Sequence, residues 1–366
     1  MNALVLGNIN SKWVKEYIEY VLLPIGYEVD VVGNEAQCKY SDFYKAEGVT
    51  VHKEFGPVGL AKKIPFARVM NSAKRIVEKN SWKNYDVIVN IFVNHRDLRI
   101  TQKLKGENTK TVVYYAGSDL LRKSKTDLLL NRILLRNPTK HVVGSAMLAN
   151  AFQEKYPKTD SAEIIRFGIS AFENIKDQKK KYKRNSEKIV FCVGYSGIKE
   201  HNHIQVLDLF GNLDKKQKEK IRIFVPMTYG ATTEYLTTVK NKLESLGIEY
   251  SCFTEFMNND EMAKMWCGVD YFINAQTTDS LSASVLEALY AGAVLLNASW
   301  LEYPEYKEFG IKSLVFSEYD GLLKYLIEIV DGKKVGEDYN SVRILEENMS
   351  WNAAKERWEE LLANGF

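Results

Sequence analysis

Two carboxylates eight positions apart, Asp279 and Glu287, are the residues best placed by type and spacing to do chemistry, in the stretch from Gln276 to Leu296. A strand ends at Asn274, a polar loop follows, and the small and apolar residues from Ser282 onward predict a helix closed by Gly292. Ligands of open parallel sheets sit beyond the carboxyl ends of the strands, where unpaired amides at helix N-termini favour phosphate. The backbone of Ser280, Leu281 and Ser282 is therefore a candidate anion cradle. Glu287, the one acid on that helix, either hydrogen-bonds a ligand or lies on a solvated face.

Such candidates need a scaffold, and the pattern around them supplies one. Apolar runs at 4–6, 28–32, 86–91, 111–115 and 141–143 alternate with amphipathic segments at 11–23 and 127–135, as a parallel sheet covered on both faces requires. A second series restarts with strands at 188–194, 221–226, 249–253 and 271–274. Asn258 and Glu261 form a capping box for a helix over 259–267, with Gly268 as its stop. The fold class is therefore α/β, two tandem Rossmann-like domains. Their expected limits are 1–175, a solvated basic linker at 176–187, a second domain at 188–345, and a C-terminal helix in 346–366. In that helix Trp351, Ala354, Trp358, Leu361 and Leu362 line one face, so it must dock, and the expected place is back toward the N-terminal domain.

The formal charge of +3 conceals an asymmetry: residues 1–186 carry 32 basic and 19 acidic side chains, residues 187–366 carry 18 and 28. A basic half suggests an anionic partner. No apolar run approaches the ~20 residues of a membrane span, and Met1 to Gly7 reads as a short strand rather than a secretory signal; a cytoplasmic location is expected. Cys38, Cys192, Cys252 and Cys267 lie too far apart for a zinc pattern, so they are expected as reduced, packed thiols, with no structural metal. No nucleic-acid-binding motif is present, and no nucleic acid partner is expected.

The stretch from Gln276 to Leu296 resembles the signature of GT-B glycosyltransferases, especially the retaining enzymes of family 4, in which two acids eight positions apart straddle a loop and a helix. The resemblance implies that Asp279 holds the donor sugar, standing where most members have Glu, and that Glu287 binds the nucleotide ribose. It assigns Gly197 and Lys199, in the loop after the first strand of the second domain, to the donor diphosphate; Tyr195 stands where the family has Arg. The Gly-x-Ser-Gly and Asn-His elements of that loop, and Val225 to Gly230, resemble a subgroup that builds bacterial envelope polysaccharides, including fucosamine transferases acting on lipid-linked sugars. His201 and His203 are equally readable as residues of a polar turn. Phe256 and Met257 correspond to the family's apolar wall for the nucleobase, or else belong to the core. Tyr114 to Arg122 resembles the family's His-Gly-Ser-Asp element with Ala116 in place of His, and Asp119 either faces the ligand as a catalytic group or caps a helix. Asn10, in the loop after the first strand, and His95 are candidates for the acceptor side; the alternative for His95 is a surface histidine.

The implied activity is transfer of a hexosyl or N-acetylhexosaminyl group, with retention, from a nucleotide diphosphate sugar to a lipid-linked or growing envelope glycan, with no metal or other cofactor. A sugar-nucleotide epimerase and a non-catalytic partner of another transferase are the alternatives. Between Gly56 and Lys83, Lys62, Lys63, Arg68, Lys74, Arg75 and Lys79 interleave with Leu60, Ile64, Phe66, Val69 and Ile76. That segment either lies on an anionic membrane surface, making the protein peripheral at the inner face, or packs on the sheet as a solvated helix.

Overall fold

The apolar runs pair into two separate, wholly parallel sheets in the computed structural model, which describes residues 1–134, 139–181, 187–279, 281–333, 335–336 and 339–364. The first sheet contains β1 (Asn2–Leu6), β2 (Glu28–Gly33), β3 (Thr50–Lys53), β4 (Val87–Ile91), β5 (Lys110–Tyr115), β6 (Lys140–Val143) and β7 (Glu163–Ile164) in the order β3-β2-β1-β4-β5-β6-β7. The second contains β8 (Ile189–Val193), β9 (Ile221–Pro226), β10 (Glu249–Phe253), β11 (Tyr271–Asn274), β12 (Val294–Ala298) and β13 (Leu314–Phe316) in the order β10-β9-β8-β11-β12-β13. Both reverse direction beside their first strand, which opens a crevice at β1/β4 and another at β8/β11. Sequence pattern passes over β3, β7 and β13, because edge strands of two to four residues bury too little to leave an apolar run.

The chain divides into two compact units, residues 1–168 with 351–366, and residues 169–350. This corrects the expected linker. Ala171–Lys181 is a helix of the second unit, with Phe172 and Ile175 buried and Phe172 stacked on Tyr290 at 4.0 Å between ring centres. Lys179 donates to the Tyr290 carbonyl at 3.2 Å. The lysine run that looked like linker forms the last turn of this helix, where cations suit the dipole; residues 182–186 lie outside the described residues. Redrawn at these limits, the first unit carries 28 basic and 20 acidic residues and the second 22 and 27, so the asymmetry survives at +8 against −5.

The expected C-terminal helix is two helices. Val342–Met349 stays with the second unit, while Trp351–Asn364 completes the first. Trp351 stacks on Tyr20 at 5.0 Å and donates its indole N–H to Glu16 at 3.2 Å. Trp358, fully buried, packs edge-on against Tyr17 at 4.9 Å and donates to the Arg166 carbonyl at 3.3 Å. Lys110 Nζ closes the helix on the Leu362 carbonyl at 2.7 Å. A side chain at Gly168 would meet Trp351 Cα at 2.3 Å, so only glycine lets the departing chain pass the returning one. Trp358→Ala should therefore destabilise the first unit by about 3–5 kcal/mol, read as a lower urea midpoint. Glu356→Ala, on the exposed side, should leave that midpoint unchanged.

Candidate functional site

In the second unit the loops beyond β8, β9, β11 and β12 are laced to one another. Gly197 N–H donates to the Tyr229 carbonyl at 2.7 Å, Thr277 N–H to Glu200 at 2.8 Å, Asn202 Nδ2 to Ala275 at 2.7 Å, and Trp300 Nε1 to Gln276 at 2.8 Å. A Cβ on Gly197 would meet Ala231 Cβ at 2.4 Å, which explains this glycine as a close-packing residue between the β8 and β9 loops.

Asp279 and Glu287 are both held rather than exposed. Tyr303 donates to Asp279 Oδ2 at 2.7 Å, Ser282 N–H to the same oxygen at 3.2 Å, and Tyr195 lies 3.4 Å from Oδ1. Tyr303 is itself fixed by Asn274 Nδ2 at 2.9 Å. Burial first, and then the Asp279 charge, push the Tyr195 phenol up to about 12, so it stays a protonated donor. Glu287 is buried on the helix Ala283–Ala291 and accepts from the indole of Trp266 at 3.1 Å. The solvated-face reading of Glu287 is thereby removed. Burial, opposed by the Ser196 hydroxyl and aided by the charges of Glu287 and Asp279, raises the Tyr229 phenol. Sequence reasoning missed Tyr303 and Trp266. The topology rule alone could have flagged Tyr303, since it follows β12 as Asp279 follows β11.

The anion cradle differs in detail from expectation. Ser282 spends its amide on Asp279 and its hydroxyl on capping Val285, 3.4 Å away, so the amides left by position are those of Ala283 and Ser284. Leu281 has φ +65°, a left-handed backbone in a residue with a Cβ; Ser280 lies outside the described residues. Lys199 is exposed on a short turn with Nζ 5.7 Å from the Tyr235 ring centre. Phe256 is 87% exposed beyond β10, whereas Met257 is half-buried against the core.

In the first unit, loops beyond β1, β2, β4 and β5 line a cavity of about 800 Å³, which includes Asn10, Phe92, Arg96, Asp119, Arg122 and Asp127. Asn10 ties two of these loops, donating to the Gln37 carbonyl at 3.2 Å and accepting from Lys39 N–H at 2.8 Å. Asp119 is a clamp. Its buried carboxylate accepts from Val93 N–H at 2.8 Å, Ala116 N–H at 3.0 Å and Gly117 N–H at 2.9 Å, while Gly117 takes the N-cap position. Burial raises its pKa despite those amides. A carboxylate so engaged holds the loops after β4 and β5 together at the cavity it lines. His95 is no free surface histidine: Nε2 lies 3.3 Å from the Asp127 carbonyl, beside the cavity.

His201 and His203 are buried, not turn residues in solvent. His201 Nε2 pairs with Ser196 Oγ at 2.8 Å and His203 Nδ1 with Tyr235 at 3.2 Å. Burial pushes them down to about 4 and about 3; Glu200 partly opposes this for His201, and His201 adds to it for His203. Because both values lie below the ordinary 6.5, their contribution to stability is complete above pH 6.5 and is lost as pH falls towards 4. The melting temperature of His201→Gln/His203→Phe should fall less steeply than that of the native protein across that interval. Equal slopes would show that neither histidine is coupled to folding.

No protein-family model matches the chain, and no curated protein matches it in sequence. Solved structures are similar over its whole length. A glycosyltransferase from Rickettsia africae ESF-5 superposes with TM-score 0.72 at 15% identity, covering 99% of each chain. HepE from Anabaena, in complex with UDP, gives 0.68 at 13% identity over 99% of this chain and 100% of that one. The UDP-GlcNAc 2-epimerase from Neisseria meningitidis, bound to UDP-GlcNAc, gives 0.60 at 14% identity over 100% of both. At these identities the likeness is one of fold, and the two parallel-sheet units establish that this chain has the GT-B fold.

Proposed function

We propose that this protein transfers a sugar from a nucleotide diphosphate sugar to a lipid-linked glycan of the cell envelope, with retention. The observation that carries the reading is the pair Asp279 and Glu287, each fixed by an aromatic hydrogen-bond donor, flanking a helix N-terminus at the β8/β11 crevice. Asp279 accepts from hydroxyls of the donor sugar and Glu287 from the ribose. Lys199 and the amides opening the helix Ala283–Ala291 offset the charge that grows on the departing diphosphate. The anomeric C–O bond to the diphosphate breaks, the acceptor hydroxyl bonds to that carbon on the same face, and the leaving phosphate oxygen takes its proton. Phe256, exposed beyond β10, supplies an aromatic wall for the base, with Met257 behind it.

Membrane contact is supported by the first unit. Val58, Leu60, Ile64 and Phe66 are exposed together with Lys62, Lys63 and Arg68 at the start of the helix Pro65–Lys79. The rest of that helix packs on the sheet through Ala73 and Ile76. Among the described residues no helix is long and apolar enough to cross a membrane. Each basic residue at an anionic surface is worth about 1 kcal/mol. Lys62→Glu/Lys63→Glu/Arg68→Glu should thus reduce binding to vesicles with 30% anionic lipid, as a proportion chosen for the test, by at least tenfold, and sedimentation with the lipid measures it.

The donor reading is tested by thermal shift with UDP, GDP and dTDP. One of them should stabilise native protein by about 2.7 kcal/mol at a hundredfold excess over its Kd. Glu287→Ala should lose that shift while melting cooperatively, and Asp279→Asn should lose turnover more than nucleotide binding. Failure of all three nucleotides sinks the reading. An epimerase is the second reading, supported by the likeness to the Neisseria enzyme; incubation with UDP-sugars alone separates the two, since only an epimerase alters the donor without an acceptor.

A further inference from the structure

We propose that Phe92 is the platform on which a pyranose ring of the acceptor stacks, so that the cavity of the first unit is a carbohydrate subsite; this rests on reading that cavity as the acceptor side. Phe92 follows β4 with φ +69°, a left-handed conformation that costs a bulky L residue about 1–2 kcal/mol. Three hydrogen bonds hold it there. Phe92 N–H donates to the Tyr114 carbonyl at 3.2 Å, Asn94 Nδ2 donates to the Phe92 carbonyl at 3.3 Å, and Val93 N–H is taken by the Asp119 clamp at 2.8 Å.

Core packing does not account for this strain. Ile91 and Val93 on either side are each 1% exposed, whereas Phe92 is 43% exposed on the cavity wall. Strain held by surrounding hydrogen bonds at an exposed aromatic residue that lines a cavity points to a ligand for that residue.

The chemistry of the wall suits a sugar. Asn8, Asn34 and Gln37 line it with side-chain amides, which both donate to and accept from hydroxyls. Two of its four lining acids, Glu54 and Asp97, are paired with Arg96, while Asp119 accepts from three backbone amides and Asp127 from the Ser124 hydroxyl. One face of a pyranose presents C–H bonds with partial positive charge to the negative face of an aromatic ring, and its equatorial hydroxyls reach outward to the amides.

Saturation-transfer NMR tests this with methyl glycosides of glucose, galactose, mannose, fucose and N-acetylglucosamine, each with UDP as an internal comparison. Native protein should saturate the ring protons of one face of at least one glycoside. Phe92→Gly and Phe92→Asn, which accept a left-handed backbone, should cut that signal at least fivefold with no fall in Tm, and Phe92→Trp should keep it. The UDP signal should be the same throughout. Persistence of the glycoside signal in Phe92→Gly overturns the platform, as does a loss that both variants accompany with a lower Tm. Native protein that saturates UDP but no glycoside also overturns it. Saturation of a glycoside through Phe92 without any for UDP would leave the platform standing and remove the donor reading instead.

Discussion

Loops beyond the end of a parallel sheet have no ladder to satisfy their backbone, and in each unit of this protein one carboxylate, buried in the first and half-buried in the second, does that work. Asp119 collects the amides of Val93, Ala116 and Gly117; Asp279 collects the Ser282 amide and the hydroxyl of Tyr303, with Tyr195 beside it. In each case one bound amide belongs to the residue after a left-handed, non-glycine position, Val93 after Phe92 in the first unit and Ser282 after Leu281 in the second. Burying an anion is unfavourable, as the raised pKa of Asp119 records. The return is a loop held in a backbone conformation that it would not keep by itself.

The electrostatics of the second unit follow from the same economy of charge. Its two loop histidines are buried and neutral at physiological pH, so no imidazolium faces the crevice. Tyr195, at the place where the resembling enzymes carry Arg, hydrogen-bonds without adding charge. In the function proposed above, positive potential for a diphosphate falls to Lys199 and the opening turn of the helix Ala283–Ala291, even though the unit as a whole is acidic. Local donors, rather than net charge, decide what such a crevice binds.

Aromatic packing settles where the units begin and end. Trp351 and Trp358 carry the last helix onto Tyr17, Tyr20 and Phe167, so the chain's final segment belongs to the core built by its first. Phe172 does the reverse, drawing the lysine-rich segment after it into the second unit. A run of lysines reads as solvated linker when taken alone. Its structure is set by the two apolar residues preceding it, which composition within the run does not register.

The sequence by itself determined the class of fold, the tandem arrangement, the capping box at Asn258 and Glu261, the apolar face of the last helix, and the two carboxylates flanking a helix start. All are local: each depends on periodicity or spacing within about twenty residues, which backbone geometry translates directly into strands, helices and caps. Only the tertiary structure decided that Glu287 is held by Trp266, that Asp279 answers to Tyr303, that Asp119 is a clamp, and that Phe92 stands strained and exposed on a cavity wall. These depend on which strands the parallel crossovers bring side by side. Val93 and Asp119, 26 residues apart, meet because the neighbouring strands β4 and β5 deliver their loops to one edge, and Trp266 and Glu287, 21 apart, meet because the helices Asn259–Cys267 and Ala283–Ala291 pack side by side; no spacing along the chain encodes either meeting.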